Sequence, residues 1–372
     1  MRPQWQIVLK YLDRHEEGDG DYKVSKVPFA SPMDAIKLLI KHCGLRDPTW
    51  SELRHYVYFL SNQLEKVEKS PYCSLDCADI LPGFRTFVIK FMIVMAQDFA
   101  TRSLKIAEDT PGLHLAEIEE NENEDAMLNY LRIKRTWESG NHPYLFFNED
   151  GDTFTPLGFF VQPTGGSYSL MDCQTNEELF PNWISQELKR ALDHYHLPMS
   201  ENFNNLKRLA QLTKLRNVMV KNVIYRTEIT EPDGSSSPVE QPMFGNHDDP
   251  DPNYVLTMDN AKKILAIHQR LRYYGVFIFI LYLYSHRVDI PVIIMGETGC
   301  GKTKLIEFMS KLQVPTALKE EIKTMIIVKI HGGTTEEDII RKVEEGQQLA
   351  LQNQRICQEY AAKFDSGQVI LY

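Results

Sequence analysis

Residues 291 to 303 read PVIIMGETGCGKT, strand formers that break into a glycine-rich loop ending in Lys-Thr. Every fixed position of the pattern G-x-x-x-x-G-K-[ST] is filled, with Gly296, Gly301, Lys302 and Thr303 in register. Val292 to Met295 predict a short strand buried on both faces, as strands of a parallel sheet are. Glycines at 296, 299 and 301 let successive backbone N–H groups converge on an anion without Cβ strain. Behind the loop, Leu305, Ile306, Met309 and Leu312 recur at helical spacing, so a helix begins there and points its positive end at the same place. Lys302 is placed to meet the terminal phosphates of a nucleotide, and Thr303 offers a hydroxyl to the accompanying Mg²⁺. Strand, loop and amphipathic helix in that order distinguish a phosphate loop from a chance glycine-rich turn.

Beyond this stretch, 372 residues are enough for two or three domains with a sizeable core. A hydrophobic share of 43% and a charged share of 25% describe a globular chain, and the net charge of −10 argues against a nucleic-acid partner. Six scattered cysteines and no secretory signal fit a reducing, cytoplasmic compartment. Cys73 and Cys77 have no second pair of ligands nearby to complete a zinc site. The apolar run Val276 to Tyr284 is too short to span a bilayer, so no transmembrane segment is expected.

The first hundred residues read as helices. Ser31, Pro32 and Asp34 mark a start and Gly44 an end, with Ile36, Leu39, Ile40 and Cys43 on one face. Asp47-Pro48 repeats the start signal ahead of Leu53, Val57, Leu60 and Leu64. After Gly83, the residues Phe84, Phe87, Val88, Phe91, Met92, Met95 and Phe99 form a broad apolar surface of core character. Residues 108 to 130 are acidic and aperiodic, a solvated connector. Tyr144 to Phe147 and Thr153 to Val161 predict strands around the turn Asn148 to Gly151. Trp183 to Tyr195 predicts a helix, and Phe203 to Leu215 another. Residues 231 to 253 have the composition of a linker or mobile loop. Asp259 is a candidate cap for a helix carrying Ile264, Ile267, His268 and Leu271, with His268 read as packed. Met325 to Ile330 predicts a second sheet strand. His331 closes it, either as a substrate contact or as a turn histidine bonded to its own backbone. Thr335 and Asp338 resemble a capping box opening a long helix.

The fold class is therefore mixed α/β and helix-rich. Residues 1–115 read as a helical region, 116–255 as a connector with short strands, helices and a flexible linker, and 256–372 as the first half of a P-loop parallel-sheet domain. In P-loop ATPases a later apolar strand carries the acids that hold Mg²⁺ and polarise water. Val369 to Tyr372 has the character of that strand, and no carboxylate follows it in the sequence. Binding groups are expected here, catalytic ones are not.

Several stretches resemble the mysterin (ring finger protein 213) family of giant ubiquitin ligases with dynein-like AAA+ modules. They are RDPTWSELRHYVYFL at 46–60, LPGFRTFVIKFM and DFATRSL within 81–104, RTWESGNHPYLFFN at 135–148, PVIIMGETGCGKTKLI at 291–306 and VKIHGGTTEEDI at 328–339. The resemblance implies that residues 1–115 end one AAA+ module and that a second opens after about residue 255. It implies ATP and Mg²⁺ as ligands of Gly296, Glu297, Thr298, Gly299, Cys300, Gly301, Lys302 and Thr303, with Thr303 on the metal. It further implies neighbouring AAA+ modules of the same polypeptide as partners. For the full-length parent it implies a ubiquitin-conjugating enzyme, protein substrates and cytosolic or lipid-droplet placement. The sequence departs from the family pattern at Tyr274 to Asp289, where extra residues precede the first strand. An interaction scaffold clamped by nucleotide without hydrolysis is the alternative from another class. A small P-loop kinase or GTPase fits less well, because neither needs the long region before the loop.

Overall fold

The computed structural model describes residues 3–17, 31–45, 48–73, 81–100, 104–105, 134–135, 141–150, 153–197, 199, 202–220, 224–230, 236–242, 249–274, 294, 299–314, 318 and 321–362. Two compact units divide the chain. One comprises Met1–Leu145 with Pro156–Glu201, the other Phe146–Thr155 with Asn202–Tyr372.

Four helices open the first unit: α1 (Pro3–Glu17), α2 (Pro32–His42), α3 (Trp50–Lys69) and α4 (Phe84–Ala100). Their ends follow local chemistry. Ser31 caps α2 by accepting from the Asp34 amide at 3.2 Å, and Gly44, with φ +75°, turns the chain away after Cys43. The start of α3 differs from the Asp47-Pro48 expectation. Its cap is Thr49, in a reciprocal box with Glu52, while Asp47 lies outside the described residues. All seven apolar positions expected on α4 are buried. Phe59 stacks on Phe99 with centroids 4.2 Å apart, joining α3 to α4.

Through Phe91, α4 also carries a sheet that sequence reading did not anticipate. Strands β5 (Phe159–Thr164), β6 (Ser167–Asp172) and β7 (Glu178–Ile184) form an antiparallel meander. Phe91 reaches Phe159 at 5.3 Å, Phe180 at 6.0 Å and Trp183 at 6.0 Å between ring centroids. Offset and edge contacts of this kind add to the area that the rings bury. Trp183 and Ile184 therefore belong to a strand, and the helix after them, α5 (Gln186–His194), starts only at the Ser185 cap. The expected single strand Thr153 to Val161 is likewise two. Gly158, at φ +88°, separates β4 (Phe154–Leu157) from β5, and β4 pairs instead with β3 (Tyr144–Phe147). Two-residue strands β1 (Leu104–Lys105) and β2 (Lys134–Arg135) pair antiparallel.

In the second unit, α6 (Arg208–Met219) follows a 3₁₀ turn at Phe203–Asn205, and α7 (Met258–Tyr274), α8 (Lys302–Leu312) and α9 (Glu336–Ala362) complete the helices among the described residues. Part of the expected linker is structured. Strand β9 (Ser236–Pro242) pairs antiparallel with β8 (Ile224–Thr230), from Ile224 opposite Pro242 to Thr230 opposite Ser236. Pro238 and Pro242 have no amide to donate, and a hairpin edge tolerates that. Packing of α7 on α6 and α8 buries Ala261, Ile264 and Leu265 completely. His268 is packed as expected, at 8% exposure. Thr257, two residues before Asp259, accepts from the Asn260 amide at 3.2 Å, while Asp259 pairs with Lys263 at 2.7 Å.

The parallel sheet is where expectation and structure part. Residues 325–330 run as irregular chain, with Ile327 55% and Ile330 72% exposed. An isolated strand has no ladder to satisfy its amides, and the segments expected beside it, 292–293 and 369–372, lie outside the described residues. The sheets whose direction is defined are antiparallel.

Candidate functional site

The described part of the phosphate loop runs from Gly299 into α8, while Gly296, Glu297 and Thr298 lie outside the described residues. Gly299 has φ +85° and Gly301 φ +81°, left-handed conformations that cost a side-chain-bearing residue roughly 1–2 kcal/mol. Among the described residues, no atom beyond the immediate chain neighbours lies within 4 Å of where a Cβ would stand at either glycine. Their selection is therefore conformational, and no described side chain fills the space over the backbone. Gly301 is the N-cap of α8 and gives it no side-chain hydrogen bond. The first-turn amides of Lys302, Thr303 and Lys304 thus have no capping oxygen from that residue, which is the arrangement an anion completes.

Lys302 and Thr303 occupy the first two positions of α8. The Lys302 ammonium donates to Cys300 Sγ at 3.4 Å, folding its stem back over the loop. Thr303 is exposed, so its hydroxyl is accessible to a ligand. Further along, Glu307 draws in Lys311 at 3.0 Å and Lys304 at 3.2 Å. Hydrogen bonds from Lys311 first and Lys304 second hold the Glu307 carboxyl below its usual range. Among these three lysines only Lys302 is held at the loop itself. Of the expected strand before the loop, only Ile294 is described, outside any ladder and 36% exposed.

Behind the loop, α8 is fixed by contacts that the sequence did not advertise. Phe308 is 1% exposed and stacks on Tyr254 at 4.4 Å between centroids. Arg208, at the start of α6, lays its guanidinium over the same Phe308 ring at 5.3 Å. That guanidinium also donates to both Asp249 oxygens, at 2.9 and 3.2 Å, and to the carbonyls of Tyr254 at 2.8 Å and Asp251 at 3.0 Å. Burial alone would push the Asp249 carboxyl up, but the Arg208 bonds, the Asp251 amide and the nearby Arg216 charge together hold it below its usual range.

A family profile described as RNF213 AAA domain matches residues 254–366, beginning at Tyr254 and taking in α7, α8 and all of α9. The E3 ubiquitin-protein ligase rnf213-beta of Danio rerio is 37% identical over 325 residues, which cover 87% of this chain and 6% of the relative. The E3 ubiquitin-protein ligases RNF213 of Mus musculus and Homo sapiens are each 36% identical across 94% of the chain. The chain belongs to the mysterin, or ring finger protein 213, family. It spans about 6% of the length of the curated relatives it matches.

In this mysterin-family chain HGGTT, at 331–335 within the stretch VKIHGGTTEEDI, forms a closed turn. The His331 amide donates to Thr334 Oγ1 at 2.9 Å, and His331 Nδ1 accepts from the Gly333 amide at 3.2 Å. Both His331 contacts are local, as the plainer reading of that residue expected. The Thr335–Asp338 box is present, with the Asp338 amide donating to Thr335 Oγ1 at 3.3 Å. Among the described residues no group of His, Cys, Asp or Glu is arranged to hold a metal ion. None of the described helices is long and apolar enough to cross a membrane.

Proposed function

We propose that this chain carries an ATP-binding AAA+ module of a mysterin-type E3 ubiquitin-protein ligase, with ATP hydrolysis a property of the longer protein. The observation that carries this reading is the pair of left-handed glycines, Gly299 and Gly301, leading into the uncapped start of α8 with Lys302 and Thr303 on its first turn. A polyphosphate fits this arrangement: no described atom beyond the chain neighbours crowds either glycine, first-turn amides point out of the helix, and the Lys302 ammonium is held beside them. In this reading Gly296 to Thr303 cradle the β- and γ-phosphates of ATP, Lys302 neutralises them and Thr303 contributes an oxygen to Mg²⁺. The neighbours that complete the pocket are other AAA+ modules of the same polypeptide. A cytosolic setting, a ubiquitin-conjugating enzyme and protein substrates belong to the parent ligase.

Phosphate release by a longer mysterin-family protein containing this chain tests the reading. Turnover that Lys302→Ala abolishes supports it. Turnover that survives Lys302→Ala, at unchanged ATP concentration dependence, removes this loop from the hydrolytic site.

A further inference from the structure

The phosphate loop is only as well placed as the helix it leads into, and α8 is held from behind by Phe308. Arg208 is 100 positions from Phe308 in sequence, yet its guanidinium lies 5.3 Å from that ring centroid. A cation over an aromatic face is attracted by the ring quadrupole, more strongly where water is excluded. Four hydrogen bonds leave the guanidinium little freedom. Two go to Asp249, one to the Asp251 carbonyl and one to the Tyr254 carbonyl. The segment 249–254 is thereby wrapped around Arg208, and its last residue lays a second ring on Phe308 at 17° from parallel. Phe308 thus meets both the hydrogen-bonded guanidinium and the Tyr254 ring. Rotation or translation of α8, which would carry Gly301 and Lys302 with it, has to break one of these contacts.

We propose that Arg208 is a positioning residue for the phosphate loop. Through Asp249, Tyr254 and Phe308 it fixes the register of α8 against α6, and so holds the first-turn amides and Lys302 in a geometry that receives the anion. The consequence for affinity rests on the nucleotide reading of the loop; the consequence for the order of α8 does not. Lysine at 208 keeps the charge and loses the planar fork that serves three acceptors at once.

The test uses the full 372-residue chain as parent, Arg208→Gln and Arg208→Lys. Amide hydrogen exchange is followed over residues 299–312, with α7 in the same unit and α4 in the other unit as controls for folding. In both variants the amides of the first two turns of α8 are expected to exchange about tenfold faster, with those of α4 unchanged. Mg-ATP affinity should fall about tenfold in Arg208→Gln and less in Arg208→Lys, while α7 stays protected. A merely structural arginine would lower the unfolding temperature and leave affinity at 20 °C intact. Exchange in α8 that overlays the parent, or Mg-ATP affinity unchanged in Arg208→Gln, overturns the proposal. Should the parent itself bind no Mg-ATP, the nucleotide reading fails, and the exchange comparison still decides the role of Arg208. If Arg208→Gln loses protection in α7 as well, the same two measurements on Arg208→Lys decide between these outcomes.

Discussion

Tyr254 lies on Phe308 with ring centroids 4.4 Å apart and planes 17° from parallel, and the residue at which the family match begins thereby touches the helix that follows the phosphate loop. Phe308 is 1% exposed while Tyr254 is half-buried, so removing the Phe308 ring leaves a void on the inner side of the pair. Truncating a fully buried phenylalanine removes both transfer free energy and packing.

Phe308→Ala should therefore destabilise the second unit by about 3–5 kcal/mol, and Phe308→Leu by a fraction of that. Urea unfolding, followed by amide exchange in α7 and α8, measures it. Equal losses for the two variants would mean that ring stacking, and not filled volume, carries the contact.

Cysteine reactivity should separate along the chain. Burial pushes the Cys73 thiol up to about 12, against a smaller lowering by Arg85, and burial also raises Cys43. Cys300, by contrast, is exposed in the loop. Since the thiolate is the reactive form, iodoacetamide at pH 7.5 should alkylate Cys300 at least tenfold faster than Cys43 or Cys73. Mass spectrometry of the digested chain reads the three rates. Saturating Mg-ATP should slow the reaction at Cys300 alone.

The Asp249 carboxyl is held below its ordinary value, so its contribution to stability has a defined direction with pH. A depressed folded-state value means stability that is present above the unfolded-state value, near 4, and is lost as pH falls through the folded-state value. The second unit should hold its stability from pH 7 down to about pH 4 as far as this group is concerned, then weaken below that. Asp249→Asn should lower stability at pH 6 and flatten the acid limb. Thermal melts of parent and variant between pH 2.5 and 7 check both statements. A variant whose acid limb parallels the parent's would mean that Asp249 does not titrate with folding.

Much of this was legible in the sequence wherever local signals decide the outcome. Ser31 with Asp34, the α4 apolar stripe and the Thr335–Asp338 box each need only a few neighbouring residues to act, and each is found in place. The loop glycines belong to the same class, since a left-handed φ is a property of one residue. Long-range pairing was not legible. Strand β7 contains Pro181 and lacks clean alternation, and it is a strand because Phe180 and Trp183 pack on Phe91 from another element. Strand β9 pairs with β8 from within 231–253, a stretch whose composition alone reads as linker. The Arg208 cluster unites positions 41, 43 and 46 residues apart, a spacing that carries no periodic signal. Residues 325–330 show the reverse case, strand formers that remain irregular where no described neighbour offers a ladder.

The proposed function turns on whether the loop at 296–303 binds the phosphates of Mg-ATP through its backbone and Lys302. Calorimetric titration of Mg-ATP into the 372-residue chain, beside the same titration of Lys302→Ala, answers that question. Saturable binding with one site per chain, weakened at least tenfold in Lys302→Ala, is the expected result. Equal affinity in the two proteins, with both folded by amide exchange, would refute it.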